Sequence, residues 1–129
     1  MPLAGSAQEN DLNDSIYWML EVSIQPRRLE EFRTLMKAMV ESARGESETL
    51  SYDFTLSEDS RTCHIFERYA DSDATMVHAR AFQAKFAAKF LDLAEPVSMV
   101  VHGKPTPQVK DALAAFSPTY FSPLGGFHR

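Results

Sequence analysis

Alternation of apolar and polar residues is the first regular pattern along the chain. Between residues 15 and 24, one side of the alternation is apolar throughout: Ile16, Trp18, Leu20, Val22 and Ile24. A period of two is typical of a strand with one buried face. Pro26 then suits a first helical turn, and apolar residues recur at spacings of three and four until Gly45. This second pattern predicts an amphipathic helix directly after the strand.

The middle of the chain predicts a hairpin. Residues 50–56 and 62–69 are rich in aromatic and β-branched residues, and the polar residues 57–61 between them favour a turn. Alternation returns at residues 97–102, which predicts a last strand. The apolar side of that strand is Val97, Met99 and Val101.

Helical sequence separates the hairpin from the last strand. Residues 71–73 are able to cap a short helix that runs through Arg80. A second helical stripe follows to about Ala94, and Pro96 ends it. The apolar positions of this stripe are Phe82, Phe86, Phe90 and Leu93. The complete order is βαββαβ, which is an α+β pattern of the ferredoxin-like type.

The chain divides into three segments. Residues 1–14 lack an apolar period, and we expect a mobile N-terminal tail there. Residues 15–104 form the α+β domain. Residues 105–129 form a C-terminal extension with a short helix over residues 106–116 and an irregular tail, which we expect to pack on the domain or on a partner subunit. The apolar residues of this tail are Tyr120, Phe121, Leu124 and Phe127.

Composition and charge exclude several classes of protein. The 129 residues are 44% hydrophobic, which suffices for one core. A net charge of −5 with scattered basic residues argues against a nucleic-acid partner. The single cysteine, Cys63, excludes an internal disulfide, and no apolar run approaches the ~20 residues that cross a bilayer. We therefore expect a cytoplasmic protein with neither a membrane nor a nucleic-acid partner.

Three residues are candidates for catalysis. Glu67 and Tyr69 lie two positions apart in a predicted strand, so their side chains share one face. If that face lines a cavity, desolvation raises the pKa of Glu67 and fits it for proton transfer near neutral pH. His78 lies about one turn before Phe82 and is the side chain best matched to proton transfer at pH 7. The alternatives are an ion pair of Glu67 with an arginine at a subunit interface, and a surface or hydrogen-bonded core role for His78.

Aromatic residues predict the walls of the same site. A flat lining of this kind suits a planar ring substrate. The alternative for the helical phenylalanines is simple core packing, and Cys63 is predicted to be a small buried hydrophobe rather than a nucleophile. The predicted lining residues are Trp18, Tyr52, Phe82 and Phe86.

The order of these residues resembles the antibiotic biosynthesis monooxygenase family of small dimeric α+β barrels, over roughly residues 17–104. The residues that carry the resemblance are Leu50-Ser51-Tyr52-Asp53-Phe54, His64-Ile65-Phe66-Glu67-Arg68-Tyr69, His78, Phe82 and Phe86. The resemblance implies a homodimer, as does a sheet that helices cover on one face only. The family often shows a second histidine shortly after the position of His78, where this sequence reads Arg80-Ala81-Phe82-Gln83.

The resemblance implies a cofactor-independent monooxygenase that acts on a phenolic or quinol-like small aromatic molecule. In that reaction Glu67 or His78 is the base, and Tyr69 steadies the developing oxyanion. No dinucleotide fingerprint, phosphate loop or metal-ligand spacing is present, so no cofactor or metal is predicted. Phe86 and Ala87 stand where haem-degrading relatives carry an iron ligand, which disfavours haem. The alternatives are an isomerase that uses acid–base chemistry on a small metabolite, and a non-catalytic dimer that binds a small ligand.

Overall fold

The computed structural model describes residues 14–129, so the mobile tail predicted for residues 1–14 lies almost wholly outside the described residues. The ferredoxin-like βαββαβ order is confirmed, and a fifth strand follows it. The elements are β1 (Ile16–Ile24), α1 (Leu29–Arg44), β2 (Thr49–Leu56), β3 (Thr62–Tyr69), α2 (Ser72–Lys85), α3 (Ala87–Leu93), β4 (Ala94–His102), α4 (Pro107–Leu113), a 3₁₀ turn (Ala114–Phe116) and β5 (Thr119–Phe121). No helix within residues 14–129 is long and apolar enough to cross a bilayer.

One mixed sheet forms the base of the molecule. Its strand order is β2-β3-β1-β4-β5, in which β5 runs parallel to β4 and the other neighbours are antiparallel. The alternation predicted for β1 is present, because every second side chain of this strand is buried. The buried face of β1 and β3 packs under the helices and supplies most of the sheet's share of the core. Cys63 belongs to this core, as predicted.

The helix after β1 begins later than predicted. α1 starts at Leu29, because residues 26–27 form a turn in which Arg27 has a positive φ of 64°. Pro26 therefore lies in the turn and not in the first helical turn. The end of the helix is as predicted, since Gly45 is its C-cap.

The break between the next two helices also lies later than predicted. The sequence predicted an end at Arg80, but α2 continues to Lys85 and breaks at Phe86. The five residues after Arg80 contain no glycine, proline or capping residue, and most of them favour a helix. Asp71 caps the start of α2 as predicted, since its carboxylate accepts a hydrogen bond from the Ala74 amide at 2.8 Å.

Pro96 does not end a helix, and this prediction is wrong. α3 ends at Leu93, and Pro96 lies inside β4. The register between β1 and β4 shifts here, so that the residue after Pro96 has no partner across the ladder. A bulge tolerates proline because no ladder hydrogen bond is required of it. The bulge also turns Val97 outward, whereas Met99 and Val101 are buried as predicted.

The C-terminal tail is more regular than predicted. Residues 119–121 form β5, which extends the sheet by a short parallel edge strand. Within a single chain Tyr120 is half-buried, but Phe121, Leu124 and Phe127 are exposed. Packing of these three side chains against a partner subunit therefore stays a prediction.

Candidate functional site

Strand register brings three predicted residues into one row across the sheet. Glu67 on β3 lies opposite Tyr52 on β2 and opposite Trp18 on β1. Directly opposed residues of antiparallel strands point to the same face, which here is the face under the helices. A carboxylate is therefore held between two large aromatic side chains at the centre of the sheet.

A cavity of about 140 Å³ lies above this row, between the sheet and the helices. Its floor comes from the sheet, and its walls come from α2, α3 and the residues after β4. Apolar side chains dominate the lining, and the ionisable groups that reach it are few. The lining residues that bear on the chemistry are Trp18, Tyr52, Glu67, His78, Phe82 and Phe116.

Glu67 is a buried carboxyl group at the wall of this cavity, with 5% of its surface exposed. The Tyr69 hydroxyl donates a hydrogen bond to Glu67 Oε1, and His78 Nε2 lies 3.4 Å from the same oxygen. Burial raises the pKa of Glu67, and the nearby His78 and Tyr69 offset this effect only in part. Burial, together with the Glu67 carboxylate, also holds the pKa of Tyr69 well above its usual value. The Tyr69 hydroxyl therefore acts as a donor to Glu67.

His78 sits between two carboxylates. It projects from α2, is buried, and places Nδ1 2.9 Å from Glu46 Oε1 on the side away from Glu67. The rings of Tyr52 and Tyr69 contact its imidazole, with centroid distances of 5.0 and 5.2 Å. Burial lowers the pKa of His78, but the hydrogen bond to Glu46 and the charge of Glu67 outweigh it, so that the pKa lies above the usual 6.5.

Glu46 completes the group, and no sequence pattern predicted it. It lies in the loop between α1 and β2, and its Oε1 also accepts a hydrogen bond from the Thr49 hydroxyl at 2.8 Å. Burial raises the pKa of Glu46, but the hydrogen bonds from His78 and Thr49 more than compensate, and the pKa lies below its usual value. Glu46 lies in a loop, 32 positions before His78, so no periodicity or spacing in the sequence could have predicted that the two residues are paired.

The hydrogen bond between Glu46 and His78 determines which ring nitrogen of His78 carries a proton. Because Glu46 is ionised and accepts only, His78 Nδ1 has to be the donor in their hydrogen bond. His78 Nε2 is then the nitrogen that faces Glu67, 3.4 Å from its Oε1, at the wall of the cavity. Two groups with raised pKa values, Glu67 and His78, thus lie side by side next to an apolar space.

Trp18 contributes an unsatisfied donor to the same place. Its indole N–H is buried and makes no hydrogen bond of normal geometry within residues 14–129. The same N–H faces the carboxyl of Glu67 and lowers its pKa slightly. Because its contact with Glu67 falls short of normal hydrogen-bond geometry, the Trp18 N–H is also a candidate donor to a ligand atom in the cavity that Trp18 lines.

The structure brings most of the predicted site residues together. Glu67, His78, Trp18, Tyr52 and Phe82 all line the cavity. Two residues lie elsewhere. Tyr69 stands behind Glu67 and contacts it without lining the cavity, and Phe86 lies beside the Lys85 ammonium, 5.9 Å from its ring centre, outside the lining.

No group of three or more histidine, cysteine, aspartate or glutamate side chains within residues 14–129 is arranged to hold a metal ion. Cys63 is also remote from metal or nucleophile chemistry, because burial raises the pKa of its thiol to about 11.

Comparisons with known proteins show the family and the fold of the chain. The sequence profile of the antibiotic biosynthesis monooxygenase family matches residues 15–89, which include Glu46, Glu67 and His78. No curated protein sequence matches the chain.

Solved structures of several bacterial proteins share the fold. MupZ from Pseudomonas fluorescens superposes with a TM-score of 0.79 at 25% identity, over 91% of this chain and 96% of MupZ. Rv0793 from Mycobacterium tuberculosis has a TM-score of 0.62 at 24% identity, over 71% of this chain and 96% of its own. A proposed antibiotic biosynthesis monooxygenase from Nitrosomonas europaea has a TM-score of 0.63 at 18% identity, over 74% of this chain and 94% of its own. The profile match over more than half of the sequence, on this shared fold, shows that the chain belongs to the antibiotic biosynthesis monooxygenase family.

Proposed function

We propose that this protein is an enzyme that oxygenates a small phenol or quinol with dioxygen and without a bound cofactor. The observation that carries the proposal is the buried series Glu46, His78 and Glu67 at the wall of an apolar cavity. An imidazole held between two carboxyl groups is suited to take up and return a proton near neutral pH. Family membership supports the reaction class, since the family is generally monooxygenase-like.

The size of the cavity supports a single-ring substrate. Its volume is about 140 Å³, and an engineered protein cavity of roughly 150 Å³ is large enough to bind benzene. Trp18, Tyr52 and Phe82 offer aromatic surface against which a planar ring packs well. The ionisable groups that a ring in this space meets are Glu67, His78 and Tyr52, which lie together at one wall, whereas the amide of Gln83 lies on the α2 side.

The reaction balances without a reductant. The substrate hydroxyl loses its proton to the Glu67–His78 pair, and the electron-rich phenolate reduces dioxygen. One atom of dioxygen bonds to a ring carbon and becomes the second carbonyl oxygen of a quinone. The other atom leaves as water with two hydrogens, one from the hydroxyl group and one from the ring carbon that was attacked. The substrate is the only electron donor, and dioxygen is the only oxidant.

The raised pKa of Glu67 suits both halves of this cycle. When ionised, a carboxylate of raised pKa is a stronger base toward the phenol than an ordinary carboxylate. When protonated, it is able to return the proton to the departing hydroxide. The apolar lining keeps water away from the phenolate, which preserves its reactivity toward dioxygen.

A second candidate is an isomerase that moves a proton within a small carbonyl compound. The observation that favours it is the unsatisfied Trp18 N–H beside the Glu67–His78 pair. A donor of this kind stabilises an oxyanion, and the neighbouring pair removes and returns the proton on carbon. This chemistry requires no dioxygen.

We also propose that the protein works as a homodimer, as proteins of this family commonly do. The sheet face away from the helices carries apolar side chains around the hydrogen bond between Glu21 and His64, whose atoms lie 2.9 Å apart. A second sheet laid on this face would cover them. The apolar or aromatic residues on this face include Tyr17, Met19, Phe66, Val100 and His102.

Oxygen consumption tests the proposed function. The protein is incubated with hydroquinone, 4-alkylphenols and 1-naphthol derivatives in an oxygen electrode, and the products are analysed after reaction under ¹⁸O₂. We expect oxygen uptake with one labelled atom in a quinone product. Deuterium exchange from D₂O into a carbonyl substrate without oxygen uptake would support the isomerase instead. Absence of both reactions would contradict both candidates.

A further inference from the structure

The C-terminal extension closes the candidate site. Residues 107–116, which comprise α4 and the 3₁₀ turn and are called here the closing segment, supply four lining residues of the cavity. These four are Ala112, Leu113, Ala115 and Phe116. The family profile ends at residue 89, so this wall lies outside the part of the chain that the family shares.

The closing segment is fixed at both of its ends. Before it, the Thr106 amide donates to the Ser72 hydroxyl of α2 at 3.2 Å, and the Thr106 hydroxyl caps α4 by accepting from the Val109 amide. After it, β5 pairs with β4. Val109 and Leu113 anchor the segment in the core. Because the segment is held in place, it limits the length of a ligand that fits in the cavity.

The related structures differ in whether they reach this segment. The match to MupZ leaves 9% of the 129 residues uncovered, about 12 residues, and therefore has to include part of the 25-residue extension formed by residues 105–129. The matches to Rv0793 and to the Nitrosomonas protein leave 29% and 26% of the chain uncovered, although they span nearly all of those proteins. The three matches thus differ in how much of this chain they cover, and only the match to MupZ is long enough that it has to extend into the C-terminal extension.

The two ends of the cavity have opposite chemistry. At the sheet, Glu67, His78 and the unsatisfied Trp18 N–H offer hydrogen-bonding groups. At the closing segment, the side chains that reach the cavity are all apolar, two of them alanines that lie at its rim and are exposed. A ligand with one oxygen and an apolar body has a single favourable orientation between these ends.

We propose that the closing segment determines which ligand the site accepts, by setting how long an apolar body fits beyond the oxygen held by Trp18, Glu67 and His78. The ligand class is an amphiphilic ring compound, such as a phenol with a short alkyl chain, whose chain ends against Ala115 and Phe116. This inference rests on the proposed function only in placing the ligand in the same cavity.

Chain-length preference in binding tests the proposal. Dissociation constants of phenol, 4-ethylphenol, 4-butylphenol and 4-hexylphenol are measured by calorimetry for the full chain. Ala115→Trp should shorten the preferred alkyl chain and weaken binding of the longer phenols at least ten-fold. Phe116→Ala should move the preference to longer chains. The matched control is Ala114→Trp, since Ala114 is an exposed neighbour in the same 3₁₀ turn that does not line the cavity.

The outcomes separate this proposal from the proposed function. Binding of the phenols with shifted preferences, but without oxygen uptake, would leave the role of the closing segment standing and contradict the monooxygenase. Oxygen uptake with the same chain-length preference in Ala115→Trp, Phe116→Ala and Ala114→Trp would overturn the role of the closing segment alone. Failure of the unmodified protein to bind any phenol of the series would overturn it as well. Because Ala115 is exposed, its substitution is compatible with folding and keeps the test decisive if Phe116→Ala is unstable.

Discussion

The state of His78 depends on a residue that no sequence pattern marks. Glu46 accepts a hydrogen bond from Nδ1 and thereby directs Nε2 toward Glu67. Glu67 and Tyr69 were predicted because the period of their strand places them on one face, and His78 was predicted because its sequence resembles the family's helix with a histidine. Glu46 was not predicted, because a contact between a loop and a helix depends on how the elements pack, and packing has no local signature.

Glu46→Gln should lower the pKa of His78. The hydrogen bond to Glu46 is the largest of the effects that raise this pKa, and burial, which lowers it, remains in the variant. The measurement is an NMR titration of the His78 ring from pH 4 to 9. The pKa of His78 should lie above 6.5 in the unmodified protein, and it should be lower in the variant than in the unmodified protein. An unchanged pKa in the variant would show that Glu46 does not hold His78.

Glu67→Gln should become more stable relative to the unmodified protein as the pH rises. The folded-state pKa of Glu67 is raised, so its protonated form favours the folded state fully below the usual pKa of 4.5. That contribution is lost as the pH rises from 4.5 through the folded-state pKa, by at most about 1.4 kcal/mol per pH unit for one proton. Glutamine does not titrate, so the variant loses no stability at this position as the pH rises.

Urea unfolding of both proteins at steps of one pH unit measures this difference, with Glu41→Gln, at an exposed position of α1, as the control. A difference in the free energy of unfolding that stays constant with pH would mean that the pKa of Glu67 is not raised.

At the scale of elements, sequence patterns predicted the existence of strands and helices better than their ends. The βαββαβ order follows from hydrophobic periods that each element carries within itself. Pro96 was misplaced because a bulge makes room for proline inside β4, and the bulge requires the register of β1. β5 was missed because a three-residue edge strand is too short for a period and forms only where β4 offers an open edge.

Gly103→Ala should destabilise the junction between β4 and β5. Gly103 has a φ of +119°, and a Cβ there would approach the Ser15 carbonyl oxygen to 2.5 Å. A strained backbone of this kind costs about 1–3 kcal/mol for a residue with a Cβ, and the clash adds to it. Gly126→Ala is the matched control, because Gly126 has the same φ of +119° but a Cβ there would meet no atom within 4 Å.

Thermal unfolding of the two glycine variants separates backbone strain from the clash. The melting temperature of Gly103→Ala should fall clearly below that of Gly126→Ala. Equal melting temperatures would show that the close approach of Gly103 to the Ser15 carbonyl does not affect stability.

At the scale of the whole molecule, a ferredoxin-like α+β domain is extended by a C-terminal segment that lines the cavity and adds an edge strand. Most of the domain was predictable, since its core alternates in sequence. The position of the extension was not, because its apolar residues have no period and their contacts depend on where the sheet ends. Three of those residues are exposed in a single chain, which is the strongest reason to expect a partner surface there.

Deletion of residues 117–129 should lower stability and weaken dimerisation. It removes β5 and the half-buried Tyr120, whose burial contributes up to about 1.5–3 kcal/mol before the entropy of ordering is subtracted. Each kcal/mol lost should lower the melting temperature by roughly 4 °C for a chain of this length. Sedimentation at low micromolar concentration measures the second effect. A truncated protein with the same melting temperature and the same association as the full chain would show that the tail contributes to neither.

The Glu67–His78 pair as the proton-exchange site is tested most directly by turnover of two matched glutamate variants. Glu67→Gln and Glu41→Gln each remove one carboxylate, the first at the cavity and the second at an exposed position of α1 that does not line it. Initial rates of oxygen uptake are compared with the same phenol substrate at pH 7. Glu67→Gln should lower the rate by about 10²–10⁴-fold, as is typical of lost acid–base catalysis, while Glu41→Gln stays close to the unmodified protein. Full activity in a folded Glu67→Gln protein would contradict the assignment of this pair as the catalytic site.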